Sequence, residues 1–351
     1  MRLKTFVLSF AILPLIGAGC ISVSSTAKTA AGGGVYKSAD KAASWAQKSA
    51  LPTSKGVQSI AGANIATFAF DPSDPKAIYA GTTNAGLLYS YDAAESWSRA
   101  TGLLQGKVAA VAVAPKDKCT IFAAVGNRVL RSTDCNRTFE TVYTDPRPEA
   151  TITALVIDWF KPEQVYLGTA AGDLSRSTDG GATWSVVRRW DDGVSALVVG
   201  AGDSRKLWVA TRSQGISFSS DAGATWTDLR KTMDEFEGAR AFVALVEVRS
   251  APGALIHASR FGLLKSTDGG ATWQKLNILT PPQSVTITAL AVNPKDAREI
   301  YYTTASKFYK TKDGGGSWTT ADLPTSRAAT ALAVDPVNDA VLYLGVTEVK
   351  K

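Results

Sequence analysis

The chain of 351 residues carries 45% hydrophobic and 20% charged side chains and a formal charge of +7, a composition that supports a sizeable core and excludes global disorder. Charge is dispersed, with no run of five or more like-charged residues, so neither a nucleic-acid-binding stretch nor a polybasic membrane patch is indicated. A single histidine excludes a histidine metal cluster or relay.

The chain opens with an export pattern. Arg2 and Lys4 precede an apolar stretch from Phe6 to Ile16, broken only by Ser9 and Pro14, and Gly17-Ala18-Gly19-Cys20 follows. A short basic segment, about a dozen apolar residues and small residues at the cut predict a secretory signal over residues 1–19. The stretch is too short to span a bilayer as a helix. A cysteine directly after small residues resembles the bacterial lipobox, with Gly17 where Leu usually stands. The resemblance implies lipidation at Cys20 and a protein exported and lipid-anchored to the cell membrane, on its periplasmic or extracellular face. The alternative is an ordinary signal peptide with a stray cysteine. Residues 20–32 are mostly small and polar, which suits a flexible tether. Removing Arg2 and Lys4 with the signal lowers the charge from +7 to about +5.

From residue 33 to 351 one octapeptide recurs seven times: Ser/Thr, any, Asp, any, usually Gly, any, Ser/Thr, aromatic. The copies begin at Ser38, Ser90, Ser132, Ser177, Ser219, Ser266 and Thr311, at intervals of 42 to 52 residues. That period belongs to four-stranded propeller blades rather than helical solenoids. Copies starting at Ser38 and Ser90 replace the Gly by Ala, and the copy at Ser132 has Asn136 there and Phe139 as its aromatic residue. In a tight hairpin the Asp and Ser/Thr side chains bond turn amides left out of the ladder, Gly admits a positive φ, and the aromatic ring plugs the space between blades. Seven equivalent positions mark Asp40, Asp92, Asp134, Asp179, Asp221, Asp268 and Asp313 as scaffold rather than catalytic acids or calcium ligands.

Seven apolar runs accompany the octapeptides, six lying between successive copies and one after the last: Ile65–Phe70, Val108–Val113, Ile152–Ile157, Val194–Val199, Phe242–Val248, Ile287–Val292 and Ala329–Val334. These are expected to be innermost strands, buried on both faces near the axis. The expected fold class is all-β, a single seven-bladed propeller of four-stranded antiparallel blades. The last inner strand is followed only by Val341–Gly345, while the first octapeptide has no inner strands before it. The C-terminal inner strands must therefore pair with the N-terminal outer strands to close the ring.

Cys119 opens the second strand of its blade, and Gly126-Asn127 is a two-residue hairpin turn. Folding about that turn pairs Val125 with Arg128 and sets Cys119 opposite Asp134, one residue from Cys135. A disulfide between Cys119 and Cys135 is predicted, worth about 3 kcal/mol for a loop of this length; the alternative is two free thiols.

The octapeptide resembles the Asp-box repeat of the bacterial neuraminidase type. The mature chain resembles the propeller superfamily of photosystem II assembly factors, sortilins and xyloglucanases. Ligand sites in the Asp-box enzymes lie on the face opposite the boxes, where the second-to-third-strand hairpins and the blade links emerge. On that face the candidate ligand residues are Arg188, Arg189, Trp190, Arg212, Gln214, Arg260, Phe261 and Lys307. Asn84, Asn127, Arg147, Asp173, Asp191, Asp192, Asp234, Glu235, Glu237 and Arg240 accompany them. Arginine forks there suit carboxylate or glycan ligands. A sialidase-like site would require an Arg-Ile-Pro stretch that is absent. Xyloglucanase-type enzymes place their acids between two propellers, of which one is present here. His257 reads as a packed strand residue, and no cofactor or metal motif occurs. The expected protein is a monomeric, non-catalytic scaffold for an envelope protein or glycan. The alternative is a glycan-acting hydrolase with an unrecognised carboxylate pair.

Overall fold

The computed structural model describes residues 32–348. The expected signal peptide, Cys20 and the tether up to residue 31 lie outside them. Seven four-stranded antiparallel sheets follow one another around a ring. Six are continuous in sequence. Blade 1 runs from Ile65–Phe70 to Ser98–Arg99, blade 2 from Ala110–Ala114 to Glu140–Thr144, and blade 3 from Ile152–Ile157 to Ser185–Arg189. Blade 4 runs from Val194–Val199 to Thr227–Asp228, blade 5 from Phe242–Glu247 to Gln274–Lys275, and blade 6 from Ala289–Val292 to Thr319–Asp322. Blade 7 is composite: Ala328–Val334 and Leu342–Thr347 supply the inner pair, Gly34–Ser38 and Ala46–Lys48 the outer pair. Its seam pairs Gly34 with Val346 and Ser38 with Leu342. Successive first strands touch one another in an unbroken circle, blade 7 meeting blade 1. The expected closure is therefore present. Among the described residues no helix is long and apolar enough to cross a membrane.

Burial differs from expectation in one respect. Five second strands are buried at every residue, Ile78–Thr82, Val165–Thr169, Leu207–Thr211, Leu255–Ser259 and Ile300–Thr303, whereas among the first strands only Ala289–Val292 is. First strands such as Ile65–Phe70 and Val194–Val199 are largely half-buried, because alternate side chains border the axial channel. Apolar composition reads the same for a core strand and a channel strand. Five first strands carry a bulge near their start. In two of them the displaced residue is a threonine that ties blades together. Thr153 Oγ1 donates to the Val194 carbonyl at 2.5 Å, and Thr330 Oγ1 to the Ile65 carbonyl at 2.5 Å. A further hairpin, Ala50–Thr53 with Gly56–Ser59, links blade 7 to blade 1 and was not expected from the sequence.

Each octapeptide closes the same circuit. In the copy at Ser177, the hydroxyl donates to Asp179 Oδ1 at 2.7 Å and accepts the Gly181 amide at 2.7 Å. Asp179 in turn accepts the Thr183 amide at 2.9 Å and the Thr183 hydroxyl at 2.6 Å. Equivalent bonds recur at Asp40, Asp92, Asp134, Asp221, Asp268 and Asp313. The circuit holds two successive residues in the left-handed region, even where they carry a Cβ, as at Ala93 (φ 59°) and Ala94 (φ 69°). The box tryptophan then reaches backward. Trp97 Nε1 donates to the Lys48 carbonyl at 3.0 Å and Trp184 Nε1 to the Val142 carbonyl at 3.1 Å, each on the outer strand of the preceding blade.

Cys119 and Cys135 are joined by a disulfide across Cα atoms 4.0 Å apart. The register that places them pairs Val125 with Arg128 and Ile121 with Ser132, as expected from the Gly126-Asn127 turn. His257 is buried with Nδ1 3.1 Å from the Ala244 carbonyl and Nε2 2.8 Å from the Ala239 carbonyl, a packed strand residue as expected.

Removal of residues 328–351 should leave the outer strands of blade 7 without partners. The shortened chain is expected to lose the single cooperative thermal transition of the full chain in circular dichroism. A retained sharp melt would show that closure does not govern the fold. Acid should act through the boxes. Hydrogen bonds from the seventh box residue hold Asp40, Asp134, Asp179, Asp221 and Asp268 at about 2, below the ordinary 3.8. Because these pKa values are depressed on folding, the stability they confer is complete above the unfolded value and lost as pH falls toward 2. Burial lowers His257 from its ordinary 6.5, which adds a one-proton loss of stability beginning below that value. Urea midpoints should fall gently below about pH 6.5 and steeply between about pH 4 and 2; a midpoint unchanged down to about pH 2.5 would contradict this assignment.

Candidate binding faces

The outer hairpins and links of blades 3 and 4 form a polar pocket of about 160 Å³ that brings together Arg188, Arg189, Trp190 and Gln214. Blade 3 contributes the end of its outer strand and Asp191; blade 4 contributes Thr211, Gly215, Ser217, Asp228 and Arg230. Most of the charge is already paired. Arg189 Nε donates to the buried Asp173 Oδ1 at 2.6 Å, and Arg147 bonds the other oxygen of Asp173 as well as Asp145. Arg230 pairs with Asp228 and donates to Gln214 Oε1 at 3.0 Å. Arg188 has no carboxylate partner among the described residues. Its guanidinium lies 5.1 Å from the Trp190 ring and 6.0 Å from the Trp226 ring, a cation held on an aromatic corner. Trp190 is fixed edge-on to Trp226 and donates Nε1 to Ser217 Oγ at 3.0 Å. The pocket thus presents Arg188 on a rigid aromatic floor, with the exposed Asp191 as the other charge without an ion pair among the described residues.

The other candidates do not join it. Arg212 and Arg260 are exposed and make no ion pair among the described residues. Phe261 packs against Phe236 and borders a separate cavity of about 130 Å³ under Pro281 and Pro282. Lys307 pairs with Asp322 at 2.7 Å. Asn84 and Asn127 are spent on the blade links, bonding Asn64 and Gly62 in the first case and the Asp145 carbonyl in the second. Asp192 caps the amides of Gly193, Ser213 and Gln214, and Arg240 pairs with Asp234. Sequence reasoning missed Arg230 and Asp228, which enter the pocket only through the fold-back of a short outer strand.

The opposite face holds the boxes, the first-to-second-strand turns and the other mouth of the channel. Strand register makes seven positions equivalent there, two residues past the end-pair of each first strand: Pro72, Pro115, Trp159, Ala201, Arg249, Pro294 and Pro336. Four are proline and one is alanine. In blades 3 and 5 Trp159 and Arg249 break the pattern, and the Arg249 guanidinium lies 4.5 Å from the Trp159 ring. Two cavities flank it, about 180 Å³ and about 160 Å³, and both are bordered by Phe70 and Arg249. The sequence signal was present in the shared offset of the prolines, but it required the register to be read.

The seven first strands carry a single carboxylate, Glu247. Its oxygens accept the Ala201 amide at 2.7 Å and the Gly253 amide at 2.9 Å. No carboxylate pair for glycoside hydrolysis arises from the channel-bordering strands.

No protein-family model matches the sequence, and no curated protein is similar to it. Solved structures do resemble it. The GH74 xyloglucanase from Xanthomonas campestris aligns with a TM-score of 0.66 at 20% identity, over 82% of this chain and 51% of that one. YCF48 bound to a D1 peptide aligns with a TM-score of 0.64 at 15% identity, over 82% and 94%. The extracellular domain of the one-component system BT4673 from B. thetaiotaomicron aligns at 0.61 and 14% identity, over 87% and 44%. What they share with this chain is the propeller fold. The chain spans about half the length of the xyloglucanase, whose activity therefore describes that protein and not this one.

Asp173 organises the corner of the polar pocket, so Asp173→Ala should release Arg147 and Arg189 together. The expected cost is about 1–2 kcal/mol of unfolding free energy, since the arginines themselves are screened by solvent. Urea denaturation measures it, and an unchanged midpoint would assign the corner's order to Trp190 packing alone.

Proposed function

We propose that the protein is a non-catalytic, lipid-anchored scaffold of the cell envelope that uses its rigid propeller to hold a protein partner. The observation that carries this reading is the chemistry of the two faces. They offer stacked arginines, tryptophans and apolar cavities, while the only carboxylate of the inner strands is consumed by backbone amides. Seven identical box circuits and a closed ring supply rigidity without a moving part, which lowers the ordering cost of binding. That YCF48, a propeller of similar fold, is described bound to a D1 peptide supports this reading by analogy.

The anchor fits the same picture. The outer strand of blade 7 begins at Gly34, on the face of the polar pocket, and the last strand ends at Thr347 on that same face. A tether reaching back from Gly32 to a lipidated Cys20 spans at most about 40 Å. It would leave the box face directed away from the membrane.

Full-length protein extracted from its own membranes in mild detergent, affinity-captured and analysed by mass spectrometry, tests the scaffold. A stoichiometric protein partner is expected, reduced about tenfold or more by the double change Arg188→Ala, Trp190→Ala. Turnover of a glycan substrate in a glycosidase screen of the same preparation would overturn the reading in favour of a hydrolase.

A further inference from the structure

The box-face mouth of the channel is a site of its own, independent of the polar pocket and of the anchor. Its rim is a ring of equivalent positions in which proline is the rule. Blade 4 places only Ala201 at its position, and the gap lets the long side chain of Arg249 reach from blade 5 to Trp159 on blade 3. The stacked pair divides the mouth into two cavities. One is bordered by Phe70, Val113, Ile157 and Trp159, the other by Phe70, Val248, Val292 and Val334, with prolines closing each. On the same face Phe160 and Val337 are exposed at 53% and 57%, extending the apolar border outward.

The guanidinium on this rim has no direct ion-pair partner. Arg249 makes no ion pair among the described residues. Glu247, two residues before it, is turned to the amides of Ala201 and Gly253, and Asp71, Asp158 and Asp335, which precede three other rim positions, accept turn amides of their own blades. Arg249 is exposed, yet the crowded rim desolvates its guanidinium and lowers its pKa, with the Glu247 charge opposing the shift. A guanidinium placed between two apolar cavities and left without a direct ion-pair partner is a recognition element for an anion carried on an apolar body.

We infer that the box-face mouth binds an acidic peptide segment, two apolar side chains seating in the cavities on either side of Arg249 and one carboxylate pairing with its guanidinium. The cavity sizes select a peptide over a compact metabolite. Small-molecule sites run from about 300 Å³ upward, whereas here about 180 Å³ and about 160 Å³ are separated by the Arg249 side chain, room for one large side chain each. Charge selects an acidic segment over a basic or neutral one. Trp159 holds the guanidinium plane in place, so little side-chain entropy remains to be lost on pairing.

Three capped tripeptides test this by heteronuclear NMR and calorimetry on the full chain in mild detergent: acetyl-Leu-Asp-Leu-amide, acetyl-Leu-Asn-Leu-amide and acetyl-Ser-Asp-Ser-amide. The first is expected to bind saturably with a dissociation constant on the order of millimolar. Loss of the carboxylate, loss of the leucines, or the change Arg249→Gln should each weaken it by about tenfold. Arg249→Gln is exposed and is expected to keep the parental melting curve; Trp159→Phe, which preserves an aromatic platform, should weaken binding less than Arg249→Gln. Absence of saturable binding by the first peptide at concentrations on the order of ten millimolar overturns the proposal. So does equal binding of all three peptides, or binding unchanged in folded Arg249→Gln.

Discussion

The structure depends on one constraint: no blade is stable by itself. A four-stranded sheet whose second strand is buried on both faces needs a neighbour on each side, and only a closed ring gives every blade two. The seam between Gly34–Ser38 and Leu342–Val346 is therefore more than a clasp at the chain ends. It buries Tyr343 and Leu344, places Ile65 of blade 1 against Gly345, and completes the circle of first strands. A Cβ at Gly345 would lie 2.5 Å from the Ile65 side chain, so the approach of blade 7 to blade 1 is set by the absence of one methyl group.

Within that ring each box converts a local bond pattern into an interblade distance. The hydroxyl–carboxylate–amide circuit is satisfied entirely within eight residues, so its geometry is specified locally. Its product is the fixed direction of an aromatic ring, and that ring spans to the preceding blade. This locality explains why so much was legible in the sequence. The box, the hairpin register that pairs Cys119 with the region of Cys135, and the half-blades at the chain ends all follow from residues close in sequence or from counting repeats. What needed the structure was direction. Ile65–Phe70 and Ile78–Thr82 are both apolar, and only the fold distinguishes the strand that borders a channel from the strand that is core.

The candidate sites divide along the same line. Arg188, Arg189 and Trp190 were legible because they are adjacent in sequence, and Gln214 joins them because it occupies the next hairpin on the same face. Arg212, Arg260 and Lys307 share that face yet stay outside the pocket, Lys307 paired with Asp322 and the two arginines exposed, which hairpin position alone does not specify. Trp159 and Arg249 lie about ninety residues apart and carry no motif; each is visible only as an exception to a repeat whose register is known.

Sevenfold repetition supplies its own test for function. A residue type present at all seven equivalent positions answers to the blade, as the box aspartates do, since any one of them explains only what the other six explain. A ligand, lacking sevenfold symmetry, requires positions at which the blades differ. The polar pocket differs by stacking a lone arginine on the Trp190–Trp226 corner between blades 3 and 4. The opposite mouth differs by an arginine–tryptophan pair where four blades place proline. The two sites lie on opposite faces of the ring, and the blade 7 strands begin at Gly34 and end at Thr347 on the face of the polar pocket. On the proposed scaffold reading, two asymmetric sites on opposite faces of one ring would let the protein hold one partner on each face.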